Sequence, residues 1–162
     1  MINTGRKDHL RGAFLEYLIS NRVEPTLFEA GANSKITQFT IKDKDYKAFV
    51  KYCASPRKSQ KGVTWNTEFT KKEVELLKQV HEKDRQNIIV IVCTDHKFQN
   101  TLFAVLPEKV ATQCLGKDRM NQSRRVSIYH EKNSRHFNVY GTAVDKTNSY
   151  RVRRNCDKYF GF

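Results

Sequence analysis

The residues with the clearest chemistry are cationic and come in tight groups. Arg57-Lys58-Ser59-Gln60-Lys61, Lys117 to Arg119, Arg124-Arg125, Arg135-His136 and Arg151-Val152-Arg153-Arg154 each crowd positive side chains together. Like charges held this close oppose compaction, so such groups point to a polyanionic partner. Arginine is favoured towards the C-terminus, and its planar fork forms paired hydrogen bonds with phosphate oxygens and base edges. Tyr129, Phe137, Tyr140, Tyr150, Tyr159, Phe160 and Phe162 are interleaved with these cations. Cations among aromatics suit single-stranded nucleic acid, through phosphate contacts and base stacking. The competing reading places the aromatics in the core and the charges on a solvated face. The candidate nucleic-acid contacts are Arg57, Lys58, Lys61, Lys117, Arg119, Arg124, Arg125, Arg135, Arg151, Arg153 and Arg154.

The charge is unevenly spread. The chain has 30 Lys and Arg against 17 Asp and Glu, a formal +13 over 162 residues. Residues 115–162 hold 11 basic and 4 acidic side chains, whereas residues 1–114 hold 19 and 13. The C-terminal part therefore carries more than half of the excess on less than a third of the length.

Other chemistry is sparser. Asp95-His96 follows an apolar run, where His96 could act as a general base; a polar turn is the competing reading. His130 and His136 flank the turn EKNSR and could share a metal, with no third ligand evident. Cys53, Cys93, Cys114 and Cys156 are far apart and form no CxxC pair, which favours reduced thiols over zinc or a disulfide framework. No phosphate-binding loop, dinucleotide fingerprint, GxSxG or kinase motif set is present. No apolar run approaches the roughly 18 residues of a membrane span. The N-terminus lacks the apolar stretch of a secretory signal. The expectation is a cytoplasmic protein with no membrane partner.

The elements that must position these residues read as α/β. Residues 8–22 form a helix with Asp8 as its cap and Leu10, Phe14, Tyr17 and Leu18 as its apolar stripe. TLFEAG after Pro25 is a short strand. KITQFTIK (35–42) and YKAFVKYCA (46–54) alternate as strands about an Asp43-Lys44-Asp45 turn. That register sets Lys51 across from about Thr37 and Phe49 from about Phe39. It puts Lys47, Phe49 and Lys51 on one face, with Tyr46, Ala48, Val50 and Tyr52 on the other. Residues 55–62 read as a basic loop. Thr70-Lys-Lys-Glu73 is a capping box, with Phe69 and Val74 as its hydrophobic staple. Residues 87–94 are a continuous apolar run, as expected of a central strand covered on both faces. TLFAVL is its neighbour and PEKVATQCL a short helix. RRVSIYH, HFNVYGTAV and YRVRRN read as further strands. The expected organisation is one domain with an α/β core over 1–114, a mixed sheet, and a basic β-rich extension over 115–162.

Helix, three strands, helix and buried strand over residues 8–94 is an order that resembles the core of the PD-(D/E)xK, or restriction-endonuclease-like, nuclease superfamily. The resemblance implies an acid on the second strand and an acid-x-Lys on the third, with carboxylates holding Mg²⁺ or Mn²⁺ and the lysine positioning the attacking water. An acid on the first helix often joins them. Glu16 matches the helical acid and Lys51 the third-strand lysine. Phe49 stands where the acid two residues before Lys51 is expected, and Thr37, Gln38 and Phe39 occupy the matching level of the second strand. Glu29, Asp43 or Glu68 would have to supply the displaced acids. Three functions follow as expectations: a nucleic-acid-binding protein with a nuclease-like core, possible diverged metal-dependent cleavage included; a non-catalytic DNA- or RNA-binding regulator or accessory subunit; or a basic adaptor docking on an acidic protein.

Overall fold

The alternating residues 35–53 fold as a hairpin that founds the first of two sheets. In the computed structural model, which describes residues 4–29, 34–95, 97, 99–116 and 124–162, α1 (Thr4–Ser20) leads into β1 (Thr26–Glu29), β2 (Ser34–Ile41) and β3 (Lys44–Cys53). Lys42 and Asp43 form the β2–β3 turn with φ of 49° and 65°. Two consecutive positive φ values are what a type I′ hairpin needs to match the strand twist. The turn therefore precedes the expected one, and the register shifts. Lys51 pairs with Ser34, and Phe49 with Ile36. The face assignment of β3 survives, because strand periodicity does not depend on the partner.

After β3 the chain leaves this sheet. It forms β4 (Arg57–Lys58) and β5 (Gly62–Phe69), then α2 (Lys71–Val80), and returns as β6 (Gln86–Cys93) beside β3. The β3–β6 pairing is parallel. β7 (Leu102–Pro107) and α3 (Glu108–Leu115) follow, then β8 (Arg124–Glu131), β9 (His136–Gly141), β10 (Tyr150–Arg153) and α4 (Cys156–Phe160). Sheet A has the order β1-β2-β3-β6-β7, and sheet B the order β10-β9-β8-β5-β4.

The β6 run is buried on both faces, as its composition requires. Ile88, Val90 and Val92 pack with Phe14 and Leu18 of α1 and Phe160 of α4. Ile89, Ile91 and Cys93 pack with Phe49, and with Trp65, Phe69, Val126, Ile128, Phe137 and Val139 of sheet B. Leu77 of α2 and Ala111, Cys114 and Leu115 of α3 close this second core. No helix among the described residues is long and apolar enough to cross a membrane.

Two sequence expectations are corrected here. Helix α1 starts at Thr4, so Asp8 lies within it and is not its cap. Residues 62–69, next to the expected loop, are a full strand. Residues 124–153 are β-rich, as expected, and β8–β10 complete the sheet that β4 and β5 begin, sharing one core with sheet A.

Gly141 ends β9 where the backbone of Arg125 and the end of α3 converge. A Cβ there would collide with the Arg125 carbonyl and sit 2.9 Å from the Cys114 carbonyl. Both neighbours are backbone and cannot swing away. Gly141→Ala is expected to cost about 2 kcal/mol through forced backbone shifts. Urea denaturation checks it, and an unchanged midpoint contradicts this packing.

Candidate nucleic-acid interface

The antiparallel strands of sheet B bring the scattered cations to one end. β8 runs towards its turn at Glu131 and β9 starts from it at His136. β10 is antiparallel to β9, with Arg153 opposite His136. β5 starts at the same level, with Gly62 opposite Glu131. The β4–β5 turn, the β8–β9 turn, the end of β10 and the start of α4 thus form one edge of the molecule.

Backbone bonds fix this edge. The Lys132 N–H donates to the Lys61 carbonyl at 2.8 Å and joins the two hairpin tips. The Arg154 N–H donates to the Arg135 carbonyl at 3.0 Å. Asn155 caps α4, its Oδ1 accepting from the Asp157 N–H at 3.0 Å. Asn133, at φ 67°, supplies the left-handed residue of the β8–β9 turn, a conformation asparagine tolerates.

Two depressions open here. Arg135, His136, Arg153, Arg154, Asn155 and Lys158 line one of about 380 Å³. The other, about 450 Å³, has Lys58, Gln60, Val63, His130, Lys132 and Asn133 in its wall and shares Arg154 with the first. Among the described residues, no carboxylate lines either. Among the described residues, Arg135, Arg153, Arg154 and Lys158 form no ion pair. His136 Nδ1 lies 3.3 Å from Arg151 Nη2. Because guanidinium can only donate, His136 Nδ1 is the acceptor of this bond.

A second set of cations lies on the outer face of sheet B. Arg57 pairs with Thr64, Thr64 with Tyr129, Tyr129 with Asn138, and Asn138 with Arg151. This row crosses all five strands. Lys146, in a 3₁₀ turn at Lys146–Asn148, sits over the Tyr129 ring, 3.9 Å from its centroid. Ser127 Oγ donates to Asn66 Oδ1 at 2.7 Å on the same face. Arg125 is exposed on this face opposite Glu68.

Of the expected contacts, Lys58, Lys61, Arg135, Arg153 and Arg154 come together at the sheet end, while Arg57, Arg125 and Arg151 occupy the outer face. Arg124 is corrected. It is buried, and its Nη1 donates to the Leu115 and Gly116 carbonyls at 3.1 and 2.6 Å, holding the end of α3. Lys117, Arg119 and His96 lie outside the described residues. Lys132 and Lys158 were missed. Lys158 follows Asn155, a helix-capping residue three positions earlier, which was the available signal.

Of the expected catalytic set, the structure brings Lys51 and Glu68 to one depression of about 170 Å³, with Tyr52, Asn66 and Thr67, while Glu16 and Asp43 lie away from it. Lys51 is 5 % exposed, and its ammonium is engaged by the protein itself. It donates to the Glu68 carbonyl and to Glu73 Oε1 at 3.0 Å, with Glu73 Oε2 at 2.9 Å, and stands 4.3 Å from the Phe69 ring centroid. Glu73 is the capping-box acid: its Oε1 accepts from the Thr70 N–H at 3.1 Å, and Thr70 Oγ1 accepts from the Glu73 N–H at 3.2 Å. Glu16 is exposed on α1, which packs on the sheet A face carrying Ala48 and Val50, opposite to Lys51. Asp43 sits in the turn eight residues from Lys51 along the strand direction, roughly 26 Å away. Glu29 ends β1 opposite Lys35. Glu68 is exposed and offers Lys51 its backbone carbonyl. No group of three or more His, Cys, Asp or Glu is placed to hold a metal among the described residues.

The remaining candidates resolve into structure. His130 Nε2 donates to the Ser134 carbonyl at 2.9 Å, and the ring lies edge-on to Phe137. His136 shares the opposite face with Arg153, so the two histidines do not face each other. Asp95 accepts from the Gln99 and Lys97 N–H groups, both at 3.0 Å, and from Asn100 at 3.2 Å. These bonds, the one from Gln99 first, hold its pKa below the ordinary value, with a smaller contribution from Lys58. It organises a loop.

The Lys51–Glu73 pair is measurable. Glu73→Ala strips a buried ammonium of its counter-charge and α2 of half its capping box, for an expected loss of about 3 kcal/mol. Adding Lys51→Met should recover at least half of it, as read by urea melts of both variants. No protein-family model matches the chain, and neither a curated protein nor a solved structure matches it.

Proposed function

We propose that this chain binds nucleic acid through the basic end of sheet B, and that it binds without cutting. The observation that carries the reading is the depression lined by Arg135, Arg153, Arg154 and Lys158, with no carboxylate in its wall among the described residues. Four cations in one hollow repel each other, and phosphate oxygens relieve that repulsion through charge-assisted hydrogen bonds. The exposed Arg57, Arg125 and Arg151 extend the positive surface over the neighbouring sheet face.

The nuclease-like part of the reading keeps one support. α1, β1–β3, α2 and β6 follow the order that prompted the resemblance, with β4 and β5 inserted. Its chemistry loses support, because Lys51 is bound by Glu73 and Glu16 faces away. The non-catalytic DNA- or RNA-binding version is therefore the one the geometry favours.

Fluorescence anisotropy with labelled DNA and RNA tests it. Affinity should fall steeply with salt, in proportion to the phosphates neutralised. Arg135→Ala with Arg153→Ala should weaken binding about tenfold and reduce the salt slope by about 1 to 2 units. Lys72→Ala, on α2, should change neither. Failure to bind any strand at low salt overturns the proposal. Cleavage in Mg²⁺ or Mn²⁺ overturns the claim that it binds without cutting, whether or not it survives Lys51→Ala and Glu16→Ala.

A further inference from the structure

We infer that the two depressions hold a phosphorylated end of a nucleic-acid strand, the terminal phosphate lying among Arg135, Arg153, Arg154 and Lys158 and the end base in the adjoining hollow. The inference rests on the nucleic-acid reading above and narrows it.

Charge density is the first argument. An internal phosphodiester brings one negative charge, and successive ones are strung along the backbone. Cations that track such a backbone are spread out, as Arg57 and Arg151 are on the outer face. Four strand spacings, about 19 Å, separate those two. At the sheet end, by contrast, four cations surround a single hollow of about 380 Å³. A terminal phosphomonoester concentrates a charge of about −1.5 to −2 on three acceptor oxygens, and a terminal triphosphate concentrates more. Such a group can meet several guanidinium forks at once, whereas a diester offers two free oxygens and a single charge.

The neighbouring hollow is the second argument. It adjoins the first at Arg154, and its chemistry differs. Val63 and the His130 ring give it an apolar wall, while Gln60 and Asn133 bring amides able to pair with base edges. The ring is held by the Ser134 carbonyl and Phe137. A phosphate cradle beside an apolar, amide-bearing hollow has the composition of a site for a nucleotide with its phosphates.

One labelled short strand prepared with a 5′-hydroxyl, 5′-monophosphate, 5′-triphosphate or 3′-monophosphate end tests the inference by anisotropy. A phosphate on one of the two ends should tighten binding about tenfold relative to hydroxyl ends, and which end does so identifies the polarity. Arg154→Ala should erase that preference: it weakens the phosphate-ended strand by more than the hydroxyl-ended one, until the two bind alike. Arg57→Ala should weaken all forms alike and preserve the preference. Equal affinity for all four strands, with binding measurable, overturns the strand-end site and leaves general nucleic-acid binding standing. Binding of none overturns both. A free nucleoside triphosphate that competes as well as the triphosphorylated strand also overturns it, since the site would then serve free nucleotides.

Discussion

The parallel pairing of β3 with β6 constrains everything else in this fold. Parallel neighbours cannot be joined by a tight turn, because the chain must travel back along the full strand before pairing again. Here the crossover is residues 54–85, and it does more than return. It lays down β4 and β5 before α2 carries it back. β5 then becomes the template on which β8, β9 and β10 assemble. The crossover of the first sheet thus seeds the second, and one apolar layer serves both. Phe49, Ile89 and Ile91 on one side meet Trp65, Phe69, Ile128 and Val139 on the other. Neither sheet can bury this face alone.

That arrangement decides where the charge collects. Every link within sheet B is antiparallel, so alternate turns fall at the same end. Hairpin tips must be polar, since their backbone groups face water. Cations placed there from segments nearly 100 residues apart become neighbours. α4 adds its own contribution because sheet A pins it. Phe160 is buried against Phe14, Phe39 and Tyr46. The Tyr17 hydroxyl donates to Asp157 Oδ1 at 2.5 Å, and burial together with this bond pushes its phenol well above the usual range. Lys42 donates to the Gly161 carbonyl. With α4 held this way, Asn155 and Lys158 stay beside Arg135 and Arg153.

Much of the fold was legible where local chemistry determines it. The capping box at Thr70–Glu73, the doubly buried β6 run and the helix after Pro107 are each set by a few consecutive residues. The β2–β3 register was not. Lys42 and Asp43 adopt a type I′ turn without the Asn or Gly that normally announces one, so the pivot had no local marker. β5 was obscured because its polar start, Lys61-Gly62, runs on from a basic loop, although Val63, Trp65, Thr67 and Phe69 do alternate. The interface was legible in composition but not in placement. Arg124 and Arg125 are adjacent in sequence, yet strand periodicity sends one into the core to hold α3 and the other to solvent. Charge clusters in sequence become charge clusters in space here where they fall at turns and strand ends, as Lys58, Arg135, Arg153 and Arg154 do.

Lys51 shows what a buried lysine demands of the fold around it. A lysine near the end of a buried third strand needs an acid within reach, whatever its purpose, because an unpaired ammonium in that setting is costly. In a metal-dependent nuclease the acids would come from the sheet and share a cation. Here the acid comes from the next helix and is already committed to its cap. Glu73 satisfies the Thr70 N–H and the Lys51 ammonium with one carboxylate, while the Glu68 carbonyl accepts from the same ammonium. The pair therefore fastens β3 of sheet A to the end of β5 and the first turn of α2, where the crossover changes sheets. Phe49, in place of an acid, is what this role requires. Its ring packs on Phe69, 6.2 Å between centroids, and closes the apolar seam beneath the ion pair. An acid at position 49 would put a second carboxylate among Ile36, Ile89 and Phe69. The missing acid and the buried lysine are two consequences of one arrangement, in which this end of β3 serves the joint between the sheets.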